Sequence, residues 1–228
     1  MLHRFLLILM LVSACGRPLT PDEKAFVSTV QGPAIDVTQV TLHGINPLYA
    51  FRLTRPPRPH ITCRERIFPP ETEPVEARVA ATVLWNRIFF AKPFYRNDFL
   101  SHSSQSADLP TRMFLAHELT HVWQWQRRDL TGYSPFRVAR EHVPGGDPYV
   151  FDLSDERPFL SYPYEQQAGL VEEFVCCRAL DPDAPRTERL YRLLSPVFPA
   201  IARREVVRES NNTRVNRTPP RRGICRQP

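Results

Sequence analysis

The chain has 228 residues, 42% of them apolar and 24% charged, which is the size and balance of one globular domain with extensions. It is too apolar for a wholly disordered chain, and its 24 prolines and 8 glycines fall short of a low-complexity composition. The net charge of +6 does not mark a nucleic-acid surface. Residues 203–228 carry eight arginines and two glutamates, so that segment holds the whole excess and the remainder is neutral.

The amino terminus reads as an export signal. Met1–Arg4 is short and basic, and Phe5–Val12 is an apolar run. That run is too short to cross a bilayer, which takes about 20 residues. A signal peptide is therefore predicted over 1–14. Leu11-Val12-Ser13-Ala14-Cys15-Gly16 resembles a bacterial lipobox. The resemblance implies cleavage before Cys15 and a lipid on its thiol. Gly16 rather than Asp after that cysteine implies the outer membrane, with the domain facing the periplasm. Cys63, Cys176, Cys177 and Cys225 remain. In an oxidising compartment disulfides are expected, with three pairings open. Neighbours on a helix point about 100° apart, so Cys176 and Cys177 can each reach a separate partner, Cys63 or Cys225.

The elements follow in chain order. Residues 15–34 read as a linker, 35–205 as the domain and 206–228 as a basic, disordered tail. Residues 35–43 alternate apolar and polar and predict a strand. Residues 54–74 are proline-rich and read as an irregular loop. Residues 79–91 are rich in Val, Ile, Phe and Trp and predict one strand or two. A helix is predicted over 109–128, with Asp108 as N-cap and Pro110 in the first turn. Residues 129–161 read as a long loop with a hairpin around Tyr149–Leu153. A second helix is expected over 162–180, and a broken one over 186–207. The predicted class is α+β: a small N-terminal sheet and two principal helices.

The first of those helices contains His117-Glu118-Leu119-Thr120-His121, the pattern HExxH. Two histidines four apart share a helical face, so both imidazoles can reach one ion. Glu118 then stands where it can take a proton from a water at the metal's open position. Such a site needs three protein ligands and a free fourth place. The metzincin pattern requires Gly at 124 and His at 127, and the chain has Gln124 and Arg127. The favoured third ligand is Glu165 on the second helix, 44 residues after His121. Glu172, His142 and Asp129 remain alternatives. Glu172 shares a face with Glu165, where it either orients a ligand or is solvated. The loop 129–161 has the length to roof such a cleft. Trp123 and Trp125 read as core or interface residues.

His117-Glu118-Leu119-Thr120-His121-Val122-Trp123-Gln124, with Glu165-Gln166-Gln167-Ala168, resembles a family of bacterial zincin-like proteins. They are described as Vgr-related and as relatives of the core domain of extracellular contractile injection systems. The segment Ala81–Phe90 with Asp98-Phe99 resembles that family too. The likeness covers about residues 75–178. It implies a zincin-like, gluzincin-type metallopeptidase domain, a Zn2+ site of His117, His121 and Glu165, and Glu118 as general base. Well-studied gluzincins place an Asp four residues after the ligand Glu, where this chain has Gly169. The support for the metal-bound histidine must then come from elsewhere.

The expected activity is zinc-dependent hydrolysis of a peptide or protein in the cell envelope. Tyr149, Tyr162, Tyr164 and His142 are candidates to stabilise the transition state. Residues 82–91 are expected to take up extended substrate by strand addition. The alternative is a zincin-fold module with little or no catalysis, acting as an accessory or interaction lipoprotein beside secretion-system proteins. No nucleic-acid partner is expected.

Overall fold

Among the described residues the first secondary-structure element begins at Gly16 and is already paired. In the computed structural model, residues 16–100, 109–142, 147–153, 157–204 and 223–226 are described. The expected signal peptide 1–14, the lipidation site Cys15 and the N-cap Asp108 lie outside them, as does most of the tail. β1 (Gly16–Arg17) lies antiparallel to β2 (Thr41–His43). β2 runs parallel to β6 (Arg87–Phe90), which forms a hairpin with β5 (Ala81–Leu84). The order is β1-β2-β6-β5, with β5 at one edge. β3 (Arg52–Arg55) and β4 (Val75–Arg78) form a separate antiparallel ribbon.

The segment 16–34 is not a linker. It continues into α1 (Pro21–Ser28), opened by a capping box in which Thr20 and Glu23 bond each other's backbone amides. Leu19, Phe26, Val27 and Val30 are buried in the core. Glu23 is fully buried, and its carboxylate accepts from the Arg17 guanidinium, Thr20 N–H and Phe99 N–H. A buried carboxylate is tolerated only when its oxygens are supplied with donors in this way.

Other expectations shift locally. Of residues 35–43 only Thr41–His43 is strand, because Asp36 starts a 3-10 turn at Val37–Gln39. The span 79–91 is two strands, joined at Trp85, whose φ of 58° lies in the left-handed region. The proline-rich stretch 54–74 contains a one-turn helix, α2 (Cys63–Arg66).

Two helices make the centre. α3 (Leu109–Gln126) is buried at every position from Leu115 to Gln124. A helix buried on all sides has no amphipathic stripe, and here it packs against β5, β6 and the helix of residues 164–180. α6 (Tyr164–Leu180) is buried in the same way from Gln167 to Arg178. Leu115, Leu119, Val122, Leu170, Val171 and Phe174 belong to the common core. Truncating one such leucine to alanine costs about 2–5 kcal/mol.

The expected loop 129–161 carries two short helices, α4 (Arg128–Thr131) and α5 (Pro135–Glu141). Gly132, at φ 66°, closes α4. No strand forms at the described residues among 149–153, so the expected hairpin is absent there. Among the described residues the last α-helix, α7 (Pro185–Leu194), stops before Pro196.

Both disulfides join α6 to distant chain. Cys176 bonds Cys63 and Cys177 bonds Cys225. The described end of the tail, 223–226, is therefore not free. Cys225 is buried, Ile224 O accepts from Arg66, and Arg226 pairs with Asp181. Among the described residues no helix is long and apolar enough to cross a membrane.

Candidate metal centre

α3 places His117 and His121 one turn apart on the face turned to α6, and the first turn of α6 brings Glu165 to meet them. All three side chains are buried. Glu165 Oε2 lies 3.2 Å from His117 Nε2 and 3.3 Å from His121 Nε2. Zinc bonds of about 2.0–2.1 Å in a tetrahedron set neighbouring donors roughly 3.3 Å apart. The two imidazole nitrogens and the carboxylate oxygen thus fit a metal ion by both chemistry and spacing.

Each histidine is held from behind. His117 Nδ1 donates to Glu172 Oε2 at 3.1 Å, and His121 Nδ1 donates to Gln124 Oε1 at 2.8 Å. Those bonds leave both Nε2 atoms turned to Glu165, as ligation requires. Glu172 is buried, not solvated, and it serves His117 in the way expected of the absent acid at 169. Position 169 is filled by Phe151: a Cβ there would lie 3.2 Å from its Cε1.

The start of α6 is itself anchored. Pro163 offers no side-chain cap, and Glu141 from α5 accepts from the backbone N–H groups of Tyr164 and Glu165, each at 2.9 Å. A carboxylate at a helix N-terminus satisfies two orphan donors and meets the positive end of the dipole. Sequence reasoning missed Glu141, for which no local pattern signals the role.

Electrostatics bind the cluster together. Burial alone would lower His117, but the Glu165 and Glu172 carboxylates prevail and push it up to about 10. Burial would raise Glu165, yet the two histidines hold it well below the ordinary carboxylate range. Glu118 is buried beside them. Burial raises its pKa and the nearby Glu165 and Glu172 add to that, against the pull of both histidines.

The other sequence candidates separate into two groups. His142 Nε2 lies 3.5 Å from Glu165 Oε1 and accepts from the Tyr149 hydroxyl at 3.1 Å. The Tyr149 ring stands 5.8 Å from that of His117. Tyr162 and Tyr164 turn elsewhere: their hydroxyls donate to Asp152 O and Thr131 O. Tyr133, which the sequence did not single out, is buried with its ring 6.3 Å from that of His121. Trp123 is a core residue against Phe198, while Trp125 sits near Trp85 and under Arg128. Asp129 lies on α4 and lines a cavity that contains none of the three ligand residues.

Cys63, Cys177 and Cys225 also converge, with Cys63 Sγ 3.7 Å from Cys225 Sγ. All three are tied up in the disulfides, so they offer no thiolate for a metal.

A comparison with protein-family models gives no match, and one with curated proteins gives none either. Among solved structures the chain is similar to the effector domain of VgrG2b from Pseudomonas aeruginosa. The identity is 21% and the TM-score 0.52, over 81% of this chain and 84% of that one. The neighbour's name agrees with the Vgr-related part of the resemblance drawn from the sequence. At this identity the likeness concerns the fold alone; the buried His-His-Glu group that could hold a metal ion is an observation on this chain, a mixed α+β domain.

Proposed function

We propose that the chain is a zinc-dependent, metallopeptidase-like hydrolase with a zincin-type domain, working in the bacterial envelope and anchored through a lipid on Cys15. The observation that carries this reading is the meeting of His117 Nε2, His121 Nε2 and Glu165 Oε2 beside the buried Glu118. When bound there, zinc supplies a Lewis acid that acidifies water and polarises a carbonyl. Glu118 accepts the proton of the attacking water and returns it to the departing amine. Burial raises its pKa, which is the direction that suits a group that must both take and give a proton. Tyr149, whose hydroxyl bonds His142 Nε2 near Glu165, is our candidate to turn its proton to a developing oxyanion, with His142 as its partner. The edge strand β5 offers backbone groups to an extended peptide.

A second reading is favoured by the fold neighbour, an effector domain. In it the chain is a secretion-system effector or accessory that uses the metal-holding domain for recognition. Two measurements separate the readings. The purified processed protein is expected to carry about one zinc per chain, lost in His121→Ala and Glu165→Ala. Glu118→Gln is expected to keep the zinc and to lose hydrolysis of an unfolded protein substrate by about 10²–10⁴-fold. Zinc without any turnover across envelope peptides and unfolded proteins would favour the second reading. Absence of zinc after refolding with metal would sink both.

A further inference from the structure

We propose that Glu172 is a positioning residue for His117, and that the Cys63–Cys176 disulfide keeps Glu172 in place through Arg64. The inference rests on the zinc reading above. Glu172 lies seven residues after Glu165 on α6, two turns along the same face, so one helix supplies both a ligand and the support for another. A carboxylate that accepts the Nδ1–H of a ligand histidine fixes its tautomer and ring angle and makes Nε2 a better donor to metal.

The same Glu172 Oε2 that meets His117 lies 3.4 Å from Arg64 Nη1. Arg64 belongs to α2, which reaches α6 across a sequence separation of 113 residues between Cys63 and Cys176. Nothing local would keep a one-turn helix there. Two fastenings tie it to α6. Cys63 is bonded to Cys176, and its backbone N–H donates to both Glu173 oxygens at 2.9 and 2.8 Å. Arg186 secures Glu173 from its other side. Glu172, Glu173 and Cys176 thus grip α2 within little more than one turn of α6, and Arg64 is carried to Glu172 by the residue before it.

The sign of one substitution separates positioning from charge. Arg64 is a cation near a cation site. If only its charge mattered, Arg64→Ala would tighten zinc binding. If it positions Glu172, the same change weakens binding.

The experiment is a competition titration of zinc against a chromophoric chelator, on the full processed protein with disulfides intact. Glu172→Gln is expected to bind zinc about 10–100-fold more weakly than wild type. Arg64→Ala and the pair Cys63→Ser/Cys176→Ser are expected to weaken it less. Each, combined with Glu172→Gln, should add little, because both act through that carboxylate. Wild-type affinity in Glu172→Gln, tighter binding in Arg64→Ala, or simple additivity would overturn the proposal. If the cysteine pair fails to fold, Arg64→Ala alone and in combination decides. A wild-type protein that takes up no zinc would overturn the underlying zinc reading instead.

Discussion

Gln124 Oε1 accepts the Nδ1–H of His121 at 2.8 Å, three residues along the same helix. The amide cannot turn round, because its Nε2 donates to Tyr164 O and Gln167 Oε1, each at 3.0 Å. Gln167 in turn donates to Tyr162 O. A run of amides therefore leads from the metal centre to the start of α6. Gln124→Ala removes the acceptor and strands two partners. Zinc affinity should drop by about tenfold or more, read by chelator competition.

Without metal, His117 is protonated up to a pKa of about 10, above its ordinary 6.5. A folded-state value above the unfolded one gives stability that is complete below pH 6.5 and fades as pH rises towards 10. The metal-free protein should therefore melt at progressively lower temperature across that window. Zinc must displace the same proton, so its affinity should rise with pH over that range. Calorimetry in buffers of different ionisation heat would report the released proton. A metal-free protein whose melting temperature rises with pH would contradict the assignment.

Gly169 stands where well-studied gluzincins carry an acid. A Cβ there would stand 3.2 and 3.4 Å from the Phe151 ring. Gly169→Asp should not substitute for Glu172, because Phe151 fills the space. It should destabilise the fold by roughly 1–3 kcal/mol from overpacking alone. Urea denaturation measures that loss, and recovery of zinc affinity in Glu172→Ala/Gly169→Asp would refute the account.

The Cys177–Cys225 bridge spans 48 residues and holds the 223–226 turn against α6. Breaking it as Cys177→Ser/Cys225→Ser should cost about 4 kcal/mol on chain-entropy grounds. Zinc affinity should change less than in the Cys63/Cys176 pair, since the 223–226 turn meets α2 only from the side away from Glu172, through the contact of Cys225 with Cys63 and the bond of Arg66 to Ile224 O. A large loss of zinc in this pair, with the fold retained, would count against the separate roles given to the two disulfides.

The helix that carries His117 and His121 was legible because HExxH is a local pattern: its spacing alone puts two imidazoles on one face. Glu165 was legible through its place in the next apolar helix. Glu172 was visible as a residue sharing that face, but its bond to His117 depends on how two helices pack. Glu141 and Tyr133 carry no signal at all, since they reach the site only through the fold of 128–142. The N-terminal segment was misread for another reason. Thr20-Pro21-Asp22-Glu23 is a capping-box signature in plain sight, yet the preceding apolar leader made a tether the natural reading. What the tether reading lacked was the burial of Glu23 and Phe26, which is a tertiary fact.

Gly16 pairs with His43 so closely that any Cβ at 16 would lie 2.4 Å from the imidazole. A free stretch of 16–34 would have given an anchored enzyme a leash, since each extended residue reaches about 3.3–3.6 Å. With the sheet beginning at Gly16, a lipid on Cys15 would leave the domain almost no leash. A protein anchored so would not forage through the periplasm. It would work on what is delivered to the membrane face, or on neighbours embedded in it, and its orientation towards them would be set by the strand that follows the anchor.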